Sequence, residues 1–393
     1  MNLPVVEPAA TTPYAENTRA VHAPRPDLSA VRPLGLPTYR TAAFEFERTQ
    51  DYADVLGDRK PGYSYSRIDN PTADAFALGL ASLEAHGLDR PVAAQVFASG
   101  MAAISTVFLS LCRSGAHVVA PAAVYGGTYG LLTHILGRFG VDASFVDMTD
   151  LETVRGAIRD NTALVWAETI ANPTTAITDI AGVAALCRDA GVPFAIDSTF
   201  APAPVCRPLR WGADLVVHSA TKYLGGHSDV LAGALVTAKL DDAWAALAQL
   251  RHDEGAVLGP VEAWLLLRGM RTLYARVERQ SQTAFVLATK LAARGVAVDY
   301  PGLQNHPGHA VAARQMQGGF GGMLSIRVAD PLAVVGKLRV WVPATSLGGV
   351  ESLIEHRASV EGPTSPTPKS LLRLSVGLEH PDDLWSDLVQ ALA

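Results

Sequence analysis

The sequence predicts an α/β protein: a mainly parallel, doubly wound sheet with a smaller α+β C-terminal domain. Three observations carry this prediction. The strand-like runs are apolar throughout rather than alternating, as strands covered on both faces are. They alternate with helical patterns at the spacing of right-handed crossovers. Past about Gly259 the alternation stops and a long helical pattern begins.

Up to about Asp58 the chain is rich in Pro, Thr and Arg with weak periodicity. It reads as an extended arm, of the kind that reaches over a neighbouring subunit. TADAFALGLASLEAH (72–86) is a helix, VAAQVFAS (92–99) a strand, and GMAAISTVFLSLC (100–112) an amphipathic helix opened by Gly. HVVAP (117–121) is a strand and GTYGLLTHILGRFG (127–140) a helix closed by Gly. ASFVD is a strand and LETVRGAIRD a helix; ALVWAET (163–169) is a buried strand and IAGVAALCRDAG a helix ending at Gly191. PFAIDS (193–198), DLVVHS (214–219) and ALVTA (234–238) complete the series. A single long helix then runs from 261 to 295, followed by a short strand, the Gly-rich turn GGFGG, the strand MLSIRVA, a helix and the strand LLRLSVG. EGPTSPTPKS (361–370) reads as a loop. The expected division is an arm at 1–58, an α/β domain at 59–258 and an α+β domain at 259–393.

Composition narrows the function. Hydrophobic residues make up 49% and are spread along the chain, as in a globular protein with a sizeable core. The formal net charge of -6 and the lack of any basic stripe argue against nucleic acid. No apolar stretch is long and clean enough to span a bilayer. The N-terminus lacks the pattern of an export signal, so the cytoplasm is the expected compartment. Cys112, Cys187 and Cys206 form no CxxC and read as buried, reduced thiols.

In an open α/β sheet the ligand sits at the carboxyl ends of the strands. Ser99-Gly100, Tyr125, Asn172, Asp197 and Ser219 each follow a predicted strand. Just after one of these ends, HSATKYLGGHSD (218–229) places a single lysine, Lys222, among hydroxyl and small residues. A lysine there can form a Schiff base with an aldehyde cofactor. A pyridoxal phosphate site needs that lysine, a carboxylate for the pyridinium nitrogen, donors for the phosphate and a flat cover for the ring. Asp197 closes an apolar strand, where a carboxylate is costly unless it meets a cation. Ser219 and Thr221 offer hydroxyls, and Gly100 and Met101 open a helix whose free N–H groups favour an anion. Tyr125 can lie over the ring. Singly, each residue has a plainer reading as solvated charge, cap, turn or core; their order and shared placement shift the balance. His218 and His227 lack a third ligand at suitable spacing, so no metal is expected. GGFGG lacks the GxGxxG pattern and precedes a strand, so it is no dinucleotide fingerprint.

The motifs YSRIDNPT (65–72), ASGMAAI (98–104), YGGTY (125–129), ETIANPT (168–174), IDSTFAP (196–202), HSATKYLGGHSD, TSLGGVESLIEH (345–356) and LLRLSVGLE (371–379) stand in this order. With them the chain resembles the Cys/Met-metabolism family of pyridoxal-phosphate enzymes, which includes cystathionine γ-synthase, cystathionine γ-lyase and methionine γ-lyase. The resemblance implies fold-type I, the aspartate-aminotransferase-like fold. It implies Lys222 as Schiff-base lysine and proton carrier, and Asp197 on the pyridine nitrogen. It implies Gly100, Met101, Ser219 and Thr221 on the phosphate, with Tyr65 and Arg67 reaching the phosphate of a neighbouring subunit. Tyr125 would stack on the ring and exchange a proton with the γ-substituent. Arg373 would clamp the substrate α-carboxylate, assisted by Asn172 and the Ser346 region. The resemblance further implies a small amino-acid substrate and a homotetramer built from dimers with shared sites.

The implied reaction is γ-elimination or γ-replacement on a γ-substituted L-amino acid of sulfur metabolism. The alternative is a γ- or β-lyase acting on an unusual amino acid with a non-sulfur leaving group. Three departures bear on this choice. Gly127 stands where methionine γ-lyases carry Cys, and Thr345 where cystathionine γ-lyases commonly carry Glu. HRASVEGPTSPTPKS is shorter and richer in Pro than the usual segment at the substrate mouth. Ser198 replaces the usual Asn, a small polar change.

Overall fold

Eight strands build the large sheet: β1 (Val5–Val6), β2 (Val92–Phe97), β3 (His117–Pro121), β4 (Asp142–Val146), β5 (Thr162–Glu168), β6 (Phe194–Asp197), β7 (Leu215–His218) and β8 (Gly233–Thr237). Their spatial order is β1-β2-β8-β7-β6-β5-β3-β4. The computed structural model describes residues 4–7, 14–24, 33–361 and 367–393. Strands β7, β6, β5, β3 and β4 run parallel. Inside the sheet, β8 runs against both β2 and β7, and β1 runs against β2 at the edge. The sheet is therefore mainly parallel, with a reversal at β8 that apolarity alone does not signal. Its cause is the connection: residues 219–232 join β7 to β8 without a helix, so the chain turns straight back.

The wholly apolar strands have a direct explanation. Leu164 and Trp166 of β5 enter one core while Val165 and Ala167 enter the other, on the opposite face. Leu235 and its neighbours Ala234 and Val236 divide in the same way. Successive side chains point to opposite faces, and helices cover both. Helix Pro71–Glu84 is opened by Asn70, which accepts from Thr72 N at 2.9 Å, and contributes Phe76 and Leu80 to one core. Helix Gly100–Leu111 is opened by Ser99, which accepts from Ala102 N at 3.0 Å, and contributes Val107 and Phe108 to the other.

The C-terminal part forms a second sheet from β9 (Ala297–Asp299), β10 (Met323–Arg327), β11 (Val342–Pro343), β12 (Leu353–Glu355) and β13 (Leu371–Ser375), in the order β11-β12-β13-β10-β9. Its core includes Leu287, Tyr300, Leu324, Trp341, Leu372 and Leu388. The two- and three-residue strands β11 and β12 are too short to leave a periodic pattern. GGFGG is the expected turn, with positive φ at Gly318, Gly319 and Gly321 ahead of β10.

Two helical expectations need correction. The long helix over 261–295 is broken into Pro260–Met270 and Leu273–Ala293. Gly269 lies against the Lys222 loop so closely that a Cβ there would stand 2.2 Å from the Gly225 carbonyl oxygen. The Gly269 carbonyl is then taken by Thr272 N at 3.1 Å and by Arg276 Nη2 at 2.7 Å, outside the α pattern. The helix expected at 127–140 starts as α at Gly126–Gly130, widens to a π turn at Leu131–Ile135 and tightens to 3-10 at Leu136–Phe139. The i→i+5 turn brings Leu131 and Leu136, five apart, to the same buried side.

Of the expected N-terminal arm, β1 pairs with β2, and Arg19 is buried with its guanidinium on Ser82. Residues 33–58 of that stretch carry no fully buried side chain. Residues 362–366 of the expected 361–370 loop lie outside the described residues. Cys187 and Cys206 are buried and Cys112 half-buried, and burial pushes their thiols up to about 12, 12 and 11. Among the described residues, no helix is long and apolar enough to cross a membrane, and no three His, Cys, Asp or Glu side chains gather as a metal site would need.

Arg276 ties the C-terminal helix to the lysine loop by donating to the Tyr223 carbonyl at 2.9 Å. Gly226, at φ 71°, leaves room for it, since a Cβ there would fall 1.9 Å from Arg276 Nη1. Arg276→Met is expected to strand the Tyr223 carbonyl and lower the free energy of urea unfolding by about 2 kcal/mol. An unchanged unfolding midpoint would contradict this.

Candidate active site

The strand ends and the second sheet enclose a cavity of about 250 Å³. Gly100, Met101, Tyr125, Asn172, Asp197, Ser219, Thr221, Lys222, Ser346 and Arg373 all line it. Tyr65 and Arg67 do not. Tyr65 is exposed, the Arg67 guanidinium lies 5.5 Å from its ring centroid, and Arg67 donates to the His252 carbonyl at 2.9 Å.

Lys222 sits in a tightly wound loop in which Lys222 N donates to Ser219 O and Gly226 N to Lys222 O. Its amine donates to Ser346 Oγ at 2.8 Å. Ser346 holds φ at 81°, a left-handed conformation that costs a serine strain and that the surrounding structure must enforce. Desolvation, then the charge of Arg373, pushes the Lys222 amine down to about 8, although Glu355 opposes the shift. A lysine so placed is a far better nucleophile at neutral pH than an exposed one.

Two carboxylates line the same cavity from neighbouring strand ends. Asp197 accepts from Thr199 N at 2.8 Å. Desolvation raises its carboxyl above the ordinary range, against the pull of the Thr199 hydrogen bonds. Glu168 is buried, and its two oxygens accept from Tyr125 N at 2.6 Å and Asn172 N at 3.1 Å. Desolvation and the neighbouring Asp197 push Glu168 up to about 8. A carboxylate enclosed in this way gains from a cationic ligand atom, and a protonated pyridine nitrogen is one.

The phosphate end is built by close approach. A Cβ on Gly100 would lie 2.9 Å from Ser219 Cβ, so only glycine lets the helix start meet the lysine loop. Gly100 and Met101, whose N–H groups open that helix, line the cavity, and free N–H groups at a helix start favour an anion. Ser219 is fixed through its own N–H, which donates to Thr199 Oγ1 at 2.8 Å. The Thr221 hydroxyl closes its loop, accepting from Ala232 N at 2.9 Å and donating to Ala232 O at 3.2 Å.

Opposite lies Arg373, which is buried. Its Nη1 donates to Asn172 Oδ1 at 3.0 Å and its Nη2 to Ser346 O at 2.8 Å, and Nη2 also contacts Glu355. Tyr125 leans over Gly127: a Cβ at 127 would stand 2.6 Å from the Tyr125 ring and 2.7 Å from Met101 Sδ. The missing side chain at 127 is what lets the ring settle there. His218 and His227 go elsewhere, His218 to Glu84 at 3.1 Å and His227 to Gly225 O at 2.9 Å.

Three lining residues went unread in the sequence, Glu168, Thr199 and Arg357, as did Glu355, which pairs with Arg357 and Arg373 behind the wall. Glu168 carried the same signal as Asp197, an acid closing an apolar strand. Glu355 and Arg357 gave none, because Glu355 ends a strand only three residues long and Arg357 opens a five-residue helix.

The fold and this set of groups fit pyridoxal phosphate: a depressed lysine, an enclosed strand-end carboxylate, a phosphate-sized helix start and an aromatic cover. The chain belongs to the Cys/Met metabolism PLP-dependent enzyme family, which it matches over residues 17–393. It is therefore a pyridoxal-phosphate enzyme of fold-type I. It is 43% identical to the cystathionine gamma-synthase of Mycobacterium tuberculosis (strain ATCC 25618 / H37Rv), over 95% of this chain and 96% of the relative. It is 42% identical to the cystathionine gamma-lyase of Bacillus subtilis (strain 168), over 87% and 91%. The crystal structure of metB from Corynebacterium glutamicum superposes with a TM-score of 0.90 at 36% identity, covering 98% of this chain and 99% of that one.

The lowered amine makes a kinetic prediction. Below its pKa Lys222 is protonated and cannot attack an aldehyde; above it the free amine can. Capture of pyridoxal phosphate by cofactor-stripped protein, followed by absorbance, is expected to accelerate with pH about a midpoint near 8. A midpoint at the ordinary lysine value would contradict the depression. For the ring cover, Gly127→Cys is expected to displace Tyr125, change the visible circular dichroism of the bound cofactor and cut kcat by about tenfold.

Proposed function

We propose that this enzyme catalyses γ-replacement or γ-elimination on a γ-substituted L-amino acid of sulfur metabolism, with γ-replacement to cystathionine as its main reaction. The observation that carries this reading is the single cavity joining Lys222 to the Arg373–Asn172–Ser346 cluster. The 43% relative, named cystathionine gamma-synthase, supports replacement, and the 42% relative, named cystathionine gamma-lyase, keeps elimination in view.

Bound pyridoxal phosphate supplies an electron sink that makes the substrate Cα–H, and then Cβ–H, removable. In this reading Gly100, Met101, Ser219 and Thr221 hold its phosphate, and Asp197 keeps the pyridine nitrogen protonated. Arg373 grips the substrate α-carboxylate, oriented by Asn172 and the Ser346 carbonyl. Lys222 would hold the cofactor and, with its amine free, would take the α-proton and move protons between carbons, its Nζ steered by the Ser346 hydroxyl. Tyr125 covers the ring and exchanges a proton with the departing γ-group. Glu168 fixes the backbones of Tyr125 and Asn172 at once, so it positions both sides of the reaction.

We also propose that Tyr65 and Arg67, which lie outside their own cavity, complete the phosphate site of a neighbouring subunit in a dimer, two of which form a tetramer. The two sheets are proposed to mark two domains, with the boundary near Gly259.

The test is a product assay by mass. Cystathionine from an O-acylhomoserine plus cysteine supports γ-replacement; cysteine, ammonia and a four-carbon 2-oxoacid from cystathionine alone indicate γ-elimination. Homocysteine and pyruvate from cystathionine, or no product from a coloured enzyme, would overturn the reading. Lys222→Ala is expected to abolish turnover and to prevent borohydride from fixing the cofactor to the protein. Arg67→Ala is expected to weaken cofactor retention, measured as colour lost on dialysis, and full retention would remove the shared-site proposal.

A further inference from the structure

The proposed reaction uses Lys222 and Arg373, but the cavity wall carries a third cationic side chain. Arg357 opens the short helix Arg357–Glu361 directly after β12 and lines the same cavity. Its side chain is 9% exposed. One carboxylate, Glu355, bridges the two guanidiniums: Oε1 meets Arg357 Nη1 at 3.2 Å and Oε2 meets Arg373 Nη2. Arg357 also bears on Glu168 across the cavity, whose carboxyl it pulls downward. Apolar wall at Ile104, Phe200, Leu231 and Leu347 completes the enclosure, suited to a methylene chain.

We propose that Arg357 is a specificity-determining residue that pairs with a carboxylate at the far end of the γ-substituent. A substrate anchored by its α-carboxylate on Arg373 has its γ-arm confined to the same small cavity. A guanidinium is always charged and presents a planar fork that matches a carboxylate. A second guanidinium on the wall therefore favours γ-substituents ending in an acid: hemi-esters of a dicarboxylic acid, or a thioether-linked amino acid. Neutral arms such as acetyl or methylthio bring no negative charge to that guanidinium. Sites built to pair a polar group reject analogues lacking it more strongly than apolar pockets reject a missing methylene.

This inference rests on the proposed γ-chemistry for its choice of substrates, so its test uses ligands that cannot undergo that chemistry. L-2-Aminoadipate and L-norleucine have the same carbon chain and differ in the terminal carboxylate. Each is titrated into cofactor-loaded enzyme while the cofactor absorbance is followed. Wild type is expected to bind the aminoadipate at least about tenfold tighter. Arg357→Leu and Arg357→Gln are expected to bring the ratio close to one, and Arg357→Lys to restore part of it. A wild-type ratio near one, or a ratio unmoved by the substitutions, overturns the proposal. So does an equal loss for both ligands, which marks Arg357 as a support of Glu355 only. If the ratio behaves as expected while O-succinylhomoserine plus cysteine gives no cystathionine, the acid-reading role stands and the γ-replacement reading falls.

Discussion

Two carboxylates held side by side at parallel strand ends govern this site. The register of β5 and β6 pairs Glu168 with Asp197 directly. Like charges so close, and shielded from water, cannot both stay ionised at little cost. The chain meets part of that cost with backbone donors: Tyr125 N and Asn172 N on Glu168, Thr199 N on Asp197. Those same donors set the position of the ring-covering tyrosine and of the asparagine beside Arg373. A cationic ring nitrogen, as proposed above, would answer the remaining imbalance at Asp197. The electrostatic demand and the cofactor site are thus one feature of the sheet.

The loop carrying Lys222 is the second half of the arrangement, and close contact is what holds it. Glycine at 100, 226 and 269 lets a helix start, an arginine and a neighbouring helix press onto it. On its other side Gly348, at φ 72°, packs against Tyr223, and its N–H donates to Ser375 Oγ at 2.9 Å. That turn delivers Ser346 to the Lys222 amine. The large sheet therefore supplies the lysine and carboxylates, while the second sheet supplies Arg373, Ser346, Glu355 and Arg357.

Much of this was legible in the linear pattern. Apolar runs without alternation announced strands buried on both faces, and β5 shows why, with alternate residues in separate cores. Residues just past the strand ends were singled out because ligands gather there, and all six, Ser99, Gly100, Tyr125, Asn172, Asp197 and Ser219, line one cavity. Tyr65 and Arg67 do not line it. The helix breaks at 271–272 and within 131–135 were not legible, since both answer to packing partners distant in sequence.

The sequence by itself determined the layer order, the strand ends and the identity of the lysine and the aspartate placed at those ends. Those follow from local periodicity and residue type. Only the tertiary structure decided the reversal of β8, the clamp of Glu168 on Tyr125 and Asn172, and the bridge of Glu355 between Arg357 and Arg373. Each of these joins groups far apart along the chain. Their desolvation and mutual charge exist only once the two sheets close over the same cavity.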